Sequence, residues 1–264
     1  MEVIGFALGI LIGITLGLIG SGGSIFAIPI LVYVMHIAPI DATTYSLFIV
    51  GIAALVGSIK GMRANLLDYK MTLYFGLPSV ISIFIMRKFV MPIFPSILFN
   101  IHDFVVTKDL LIMLVFAGLM IIASLSMIFN KATLDSKPEE IRKETIIIKG
   151  VFVGLLTGFV GVGGGFLIIP ILIFSGKLPM QKAVVTSLLI IAANSLIGFV
   201  GSLNGNPIHW AFLLEFTAFA IAGIYVGMYL SNKISNEKLK PVFGWFVLIT
   251  GVYIIIKELF CVYN

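Results

Sequence analysis

The amino-acid sequence predicts an all-α integral membrane protein built as two inverted repeats, each of about five membrane segments: four spans plus one glycine-bounded segment that is broken or re-entrant. Three observations carry this. Of the 264 residues, 60% are hydrophobic and 11% charged, and the mean hydropathy is +1.17, whereas about a quarter of the residues of a soluble domain are charged. Second, residues 9–65 align without a gap onto 150–206, an offset of 141, and 17 of the 57 pairs are identical, among them Gly20/Gly161, Pro29/Pro170, Ser46/Ser187 and Gly57/Gly198. Third, the 17 lysines and arginines gather in a few short loops, the kind of distribution that sets orientation in a bilayer.

An apolar run of about 18 residues is long enough to cross a membrane as a helix. By that measure the first half holds spans near 3–20, 42–59, 69–86 and 109–129, and the second half near 146–163, 180–203, 208–230 and 241–260. Between the first and second span of each half lies a further apolar stretch, 24–36 and 165–176, set off by glycines. Its path decides the topology. With four crossings per half the cations divide nine to eight between the two sides; if the stretch folds back on the first span as a hairpin, they divide thirteen to four. Cytoplasmic loops near membrane segments are rich in lysine and arginine, so the second division is the expected one. It places Lys60, Arg63, Lys70, Lys177 and Lys182 on the cytoplasmic side and Arg87, Lys88, Lys108 and Lys257 on the other. Five segments per half is an odd number, which turns the second repeat upside down relative to the first.

The first repeat is expected to cover 1–130 and the second 146–264, with a mixed-charge cytoplasmic linker at 131–145. Residues 88–108, with Pro92 and Pro95, interrupt the apolar pattern and are expected to form an outer interfacial excursion that the second half lacks. Met1 to Gly5 carry neither a charged leader nor a small-residue cleavage site, so this stretch reads as the start of the first span. The single cysteine, Cys261, excludes an internal disulfide and argues against a metal-thiolate site; no metal and no cofactor are expected. The formal net charge of +5 reads as membrane orientation, since no basic stripe with interleaved aromatics points to nucleic acid. The expected location is the cell (inner) membrane, as a multi-pass protein.

Gly5, Gly9, Gly13 and Gly17 recur every fourth residue, as do Gly150, Gly154 and Gly158. Such a bare stripe lets another helix backbone approach closely. The runs 20–24 and 161–165 are different, because consecutive glycines weaken a helix and leave backbone groups unpaired where no water is at hand. The stretch after each run restarts as a helix, so its first N–H groups and its positive dipole end point into the break. In inverted repeats two such starts, around Ser24 and Gly165, can face one another near the midplane and hold an anion. The expected binding residues are therefore Ser21, Gly22, Gly23 and Ser24 in the first half and Val162, Gly163, Gly164 and Gly165 in the second. A phosphate-loop reading fails because no lysine comes after the glycines. Glycine-interrupted apolar segments at corresponding places in two halves are the sequence pointer to a secondary transporter.

The glycine run leading through an apolar stretch into proline, present in both halves, resembles the TauE/SafE family, the sulfite exporter-like membrane permeases. Two further marks support the resemblance: Ala42, Ser46 and Leu47 match Ala183, Ser187 and Leu188, and the loop from Asn65 through Asp68 to Tyr69 matches Asn206 through His209 to Trp210. The chain departs from the family pattern where His209 replaces the loop acid and where Ser24 stands opposite Gly165. The resemblance covers nearly the whole chain and implies transport of small sulfur-bearing or organic anions such as sulfite, sulfonates and sulfoacetate.

Polar residues inside apolar spans are expensive in lipid and tend to face a cavity or a partner helix. Ser46 and Ser187, equivalent in the two repeats, and Asn194 join the expected substrate-binding set, the amide because its four hydrogen-bonding positions cannot all be met within its own helix. Glu215 is a carboxylate well inside an expected span and, buried, would suit proton coupling. No nucleophile or metal cluster suggests an enzyme. The expected function is thus a secondary transporter that moves a small anion by alternating access, driven by a proton gradient or by the substrate's own gradient. An anion channel or a non-transporting membrane partner protein is the alternative. The expected partners are the anion and the lipid bilayer; the number of chains in the assembly stays open.

Overall fold

Apolar backbone in a medium without water must close its hydrogen bonds internally, and helices do this within a single segment. The computed structural model describes residues 2–20, 23–101, 104–129, 143–203, 208–231 and 236–263. The first half forms α1 (Glu2–Ile19), α2 (Gly23–Val34), α3 (Pro39–Arg63), α4 (Tyr69–Ile93) and α5 (Lys108–Phe129). The second forms α6 (Lys143–Val160), α7 (Gly165–Phe174), α8 (Met180–Gly201), α9 (Trp210–Ser231) and α10 (Asn236–Tyr263). Among the described residues, α3, α4, α5, α8 and α9 are long and apolar enough to cross a membrane. The protein is thus an all-α, multi-pass membrane protein. The expected linker lies almost wholly outside the described residues, as do Ser21, Gly22, Asn206 and Pro207.

The duplicated sequence folds into duplicated backbone. Gly20 donates to Leu16 O at 2.7 Å and Gly161 to Thr157 O at 2.8 Å, while Ile37 donates to Leu31 O at 3.0 Å and Leu178 to Leu172 O at 3.1 Å. The paired residues stand 141 apart throughout. The last bond closes over a left-handed residue, His36 at φ 56° and Lys177 at φ 50°, which ends α2 and α7 with the same C-cap, one residue wider than the usual six-to-one bond.

The glycine stripes pack as their spacing predicts. Gly9, Gly13 and Gly17 of α1 meet Phe216, Ala220 and Ile224, so α1 and α9 run side by side in one direction. Gly150, Gly154 and Gly158 of α6 meet Phe75, Ser79 and Ile83 in the same way, which pairs α6 with α4. A methyl group on Gly13 or Gly154 would overlap a backbone carbonyl, of Ala220 or Ser79 respectively. Each half thus lends its first helix to the fourth helix of the other. The third helices meet each other: Leu47 packs on Gly198, Gly51 on Leu196, Gly57 on Leu188 and Gly61 on Val185, an antiparallel crossing with its middle near Gly51. The fifth helices also pair, with Gly251 of α10 against Ala117 and Met120 of α5.

α2 folds back on α1, with Gly23 seated against Ile12 and Leu16, as the hairpin expectation requires. Gly61 lies on Val185, and Asp68 N–H donates to Thr186 Oγ1 at 3.0 Å. The chain regions around Lys60 and Lys182 therefore share one end of the bundle.

One expectation is corrected. The sequence pattern ends the third span at residue 86 and assigns 88–108 to an excursion, but α4 continues to Ile93. Pro92 does not stop it because a wide turn at Met86–Val90 precedes the proline, with Met91 N–H bonding Met86 O five residues back. Such π-turns re-space the carbonyls and give the ring room. The chain leaves the helix only after Ile93, where it forms an antiparallel hairpin of β1 (Ile97–Ile101) and β2 (Phe104–Thr107). Arg87 consequently sits inside a helix rather than beyond its end.

Candidate functional site

The α6–α7 break is a turn held open by glycine. Gly161, Gly163 and Gly164 adopt φ of 84°, 69° and 86°, a region that side chains rarely enter. Leu167 and Ile168 both donate to Gly164 O at 3.1 Å, which starts α7. Among the described residues, the amides of Val162, Gly163 and Gly164 donate to no acceptor. The α1–α2 break begins alike, with Gly20 at φ 77°.

What surrounds the second break comes mainly from other helices. A methyl group on Gly161 would overlap both Thr43 of α3 and Nη2 of Arg87 of α4; one on Gly163 would overlap Oγ of Ser195 of α8. Ser46 Oγ donates to Gly161 O at 2.6 Å, tying α3 to the turn. Arg87 is 3% exposed. Its Nη1 donates to Thr43 Oγ1 at 3.0 Å, while Nε and Nη2 find no partner. Ser195 Oγ is likewise buried and unpartnered, and Asn194 donates to Ser79 Oγ at 2.8 Å while its Oδ1 accepts nothing. Buried polar groups are paired about nine times in ten. This cluster of exceptions makes the turn the candidate site.

The structure brings most of the expected residues together. Val162, Gly163, Gly164 and Gly165 form the buried turn, Ser46 bonds it, and Asn194 adjoins Ser195, which touches it. Gly23 and Ser24 are buried in α2, and α2 contacts α7. Ser187 bonds Val184 O of its own helix at 2.8 Å, the local back-bonding usual for serine in helices. Ser21 and Gly22 lie outside the described residues. Glu215 is not buried as expected: it lies on the exposed face of α9, one turn beyond the half-exposed Trp210, and takes no place at either break. The loop acid Asp68 caps α4, its Oδ1 accepting Met71 N–H at 2.8 Å. Its counterpart His209 offers only backbone: its N–H donates to Tyr45 Oη at 3.1 Å, as Asp68 N–H does to Thr186 Oγ1, and Tyr45 and Thr186 are themselves equivalent.

Arg87 is the residue the sequence pattern does not single out, whereas Thr43 and Ser195 belong to the polar residues it places inside apolar spans. A signal existed for Arg87 too: it and Lys88 are the only charges in the apolar stretch from Met71 to Phe94. Arg87 also lines a cavity of about 260 Å³ bounded by Asp41, Thr44, Tyr45, Lys108 and Ser202. Lys108, 9% exposed, turns its ammonium to the carbonyls of Met91 and Phe94. Beyond Asp41, Tyr45 and Ile208, which line both, a wider and more open groove of about 830 Å³ runs past Met35, Ile37, His209 and Phe212.

The same chain plan recurs in known proteins. Residues 5–254 match the family described as Sulfite exporter TauE/SafE. A probable membrane transporter protein of Xylella fastidiosa (strain Temecula1) is 30% identical over 252 residues, covering 93% of this chain and 91% of that protein. The probable membrane transporter protein MJ0441 of Methanocaldococcus jannaschii is 25% identical, covering 94% of this chain and 93% of its own length. For YunE of Bacillus subtilis, also named a probable membrane transporter protein, the identity is 25% and the coverage 98% of each. No solved structure matches.

Proposed function

Since the chain belongs to the sulfite exporter TauE/SafE family of membrane transporters, we propose that it is a secondary transporter of a small organic or sulfur-bearing anion, working by alternating access between two halves inverted in the membrane. One observation carries this reading: at each glycine break, a residue of the opposite half closes the turn. Gly20 seats on Val184 and Gly161 on Thr43, an equivalent pair. A break that is gripped by the other repeat must be released when the repeats rock, so the same movement that changes access remakes the turn.

The antiparallel crossing of α3 and α8 supports inversion, because equivalent helices related by an axis in the membrane plane run in opposite directions. The clustering of the Lys60 and Lys182 ends supports the thirteen-to-four division of cations, with that pole cytoplasmic. The anion is suggested by the open amides at the break and the dipole of α7, and by the sulfite exporters after which the family is named. Energy comes from the substrate's own gradient or from a proton gradient.

Uptake of labelled sulfite, thiosulfate, sulfoacetate and taurine into proteoliposomes, with and without a pH gradient, tests the reading. Saturable flux with exchange across the membrane is expected for at least one of them. Flux that never saturates, at rates far above carrier turnover, would replace the carrier by a channel.

A further inference from the structure

The donors without partners around the α6–α7 turn converge on it. Arg87 spends Nη1 on Thr43 and keeps Nε and Nη2. In a guanidinium those two nitrogens project N–H groups side by side from one edge, a fork that matches two oxygens of a sulfite, sulfonate or carboxylate. Nη2 abuts Gly161, and the Ser195 hydroxyl abuts Gly163. Between them lie the open amides of Val162 to Gly164. A buried cation with no counter-ion is costly and is retained in membrane proteins where it meets a substrate or ion.

We propose that Arg87, Ser195 and the turn at 161–164 form the substrate site, and that its ligand is a small oxoanion gripped two-handed by the free edge of Arg87, with Ser195 and the turn amides on its remaining oxygen. The proposal rests on the transport reading above and names the substrate class and the residues for it. The cavity of about 260 Å³ beside Arg87 is the approach. It is smaller than the roughly 300–1,000 Å³ of pockets that take drug-sized ligands, so an ion of sulfite or two-carbon sulfonate size fits it. Arg87 and Lys108 outnumber Asp41, the carboxylate on its wall, which biases the approach toward anions, and Asp41, Tyr45 and Ile208 line both this cavity and the wider groove.

The site is one-sided. Thr43 corresponds to Val184 and Ser195 to Ala54. The contacts of α6 on α4 and of α1 on α9 pair residues 141 apart, Phe75 with Phe216, Ser79 with Ala220 and Ile83 with Ile224, so the counterpart of Arg87 is Met228, an uncharged, half-buried side chain. The fold supplies two breaks, and one of them holds the ion.

Binding measured apart from transport tests this. Sulfite, thiosulfate, sulfoacetate and chloride are titrated calorimetrically into the purified full-length protein in lipid nanodiscs. The wild type is expected to bind at least one oxoanion, with chloride weaker by about tenfold or more because a single sphere cannot engage the fork. Arg87→Lys keeps the charge and loses the fork, and should weaken binding about tenfold; Arg87→Gln should weaken it about 100-fold, and Ser195→Ala about 3- to 10-fold. Lys88→Gln, one residue away and exposed, should bind as the wild type does. Should Arg87→Gln fail to fold, Arg87→Lys and Ser195→Ala decide. If both bind like the wild type, the site is overturned while saturable flux keeps the transport reading standing. A wild type that binds none of the oxoanions, or binds chloride equally well, overturns the site too. Absence of saturable wild-type flux is the separate result that would sink transport.

Discussion

At Gly20 and at Gly161 the chain makes the same turn in two different chemical surroundings. Both glycines take a left-handed φ, both donate to the carbonyl four residues back, and both press against the second turn of the third helix of the other half. Around Gly20 the pressing residue is Val184, an apolar side chain; around Gly161 it is Thr43, whose hydroxyl accepts from a buried guanidinium. Duplication therefore kept the entry into each break alike and left the side chains free to diverge; the exits differ, since Gly164 is left-handed while its equivalent Gly23 already belongs to α2. The result is a matched pair of glycine turns with a charge beside one of them. In the proposed rocking mechanism both breaks flex, and in the proposed site one of them alone meets the ion.

The largest expected effect is on the hinge that carries the charge. Gly163→Leu places a side chain at φ 69° on top of Ser195, a conformation that costs about 1–3 kcal/mol before the overlap is counted. Flux in proteoliposomes should be abolished while the protein still enters the membrane fraction; undiminished flux would return these glycines to plain helix packing. Next in size, Thr43→Val makes the charged break resemble the apolar one. It removes the acceptor of Arg87 Nη1 and should raise the KM for the transported anion about 5- to 10-fold, read from initial uptake rates. The reverse change, Val184→Thr, puts a hydroxyl where no guanidinium waits, and its KM should shift by less than about twofold. Equal effects of these two exchanges would mean that the breaks share the ion equally. Smallest of all, Glu215→Gln alters an exposed residue away from both breaks, so the pH dependence of uptake should not move. A lost pH response there would restore Glu215 as the coupling group.

Much of the architecture was legible because membrane folding obeys few rules. Apolar length gave the helices, the four-residue glycine rhythm marked faces where a second backbone comes close, which the structure shows to be α1 on α9 and α6 on α4, and the offset of 141 told which residues would play equivalent parts. The turn residues Gly163 and Gly164 were legible for the same reason, since side-chain-free runs in an apolar segment have little else to do. Arg87 was not. Its neighbour Lys88 and the proline at 92 make the local pattern look like a helix end, and the wide turn that lets α4 run on to Ile93 has no clear sequence signature. Glu215 misled in the opposite direction: an acid inside an apolar span looks buried, but which side of α9 it occupies depends on what packs against the glycines at 223 and 227, and those turn another face toward α1.

By itself the sequence determined the solvent, the helical segments, the twofold repetition and the positions where the backbone breaks, because hydropathy, glycine spacing and self-similarity are properties of the chain read in order. Only the tertiary structure decided where the charge goes. Arg87, Thr43, Ser195 and the turn at 161–164 come from α4, α3, α8 and the α6–α7 junction, and no spacing along the chain records their meeting. It arises from close helix contacts between the halves, which carry a lone guanidinium into a buried place where its remaining hydrogen bonds are left to be made.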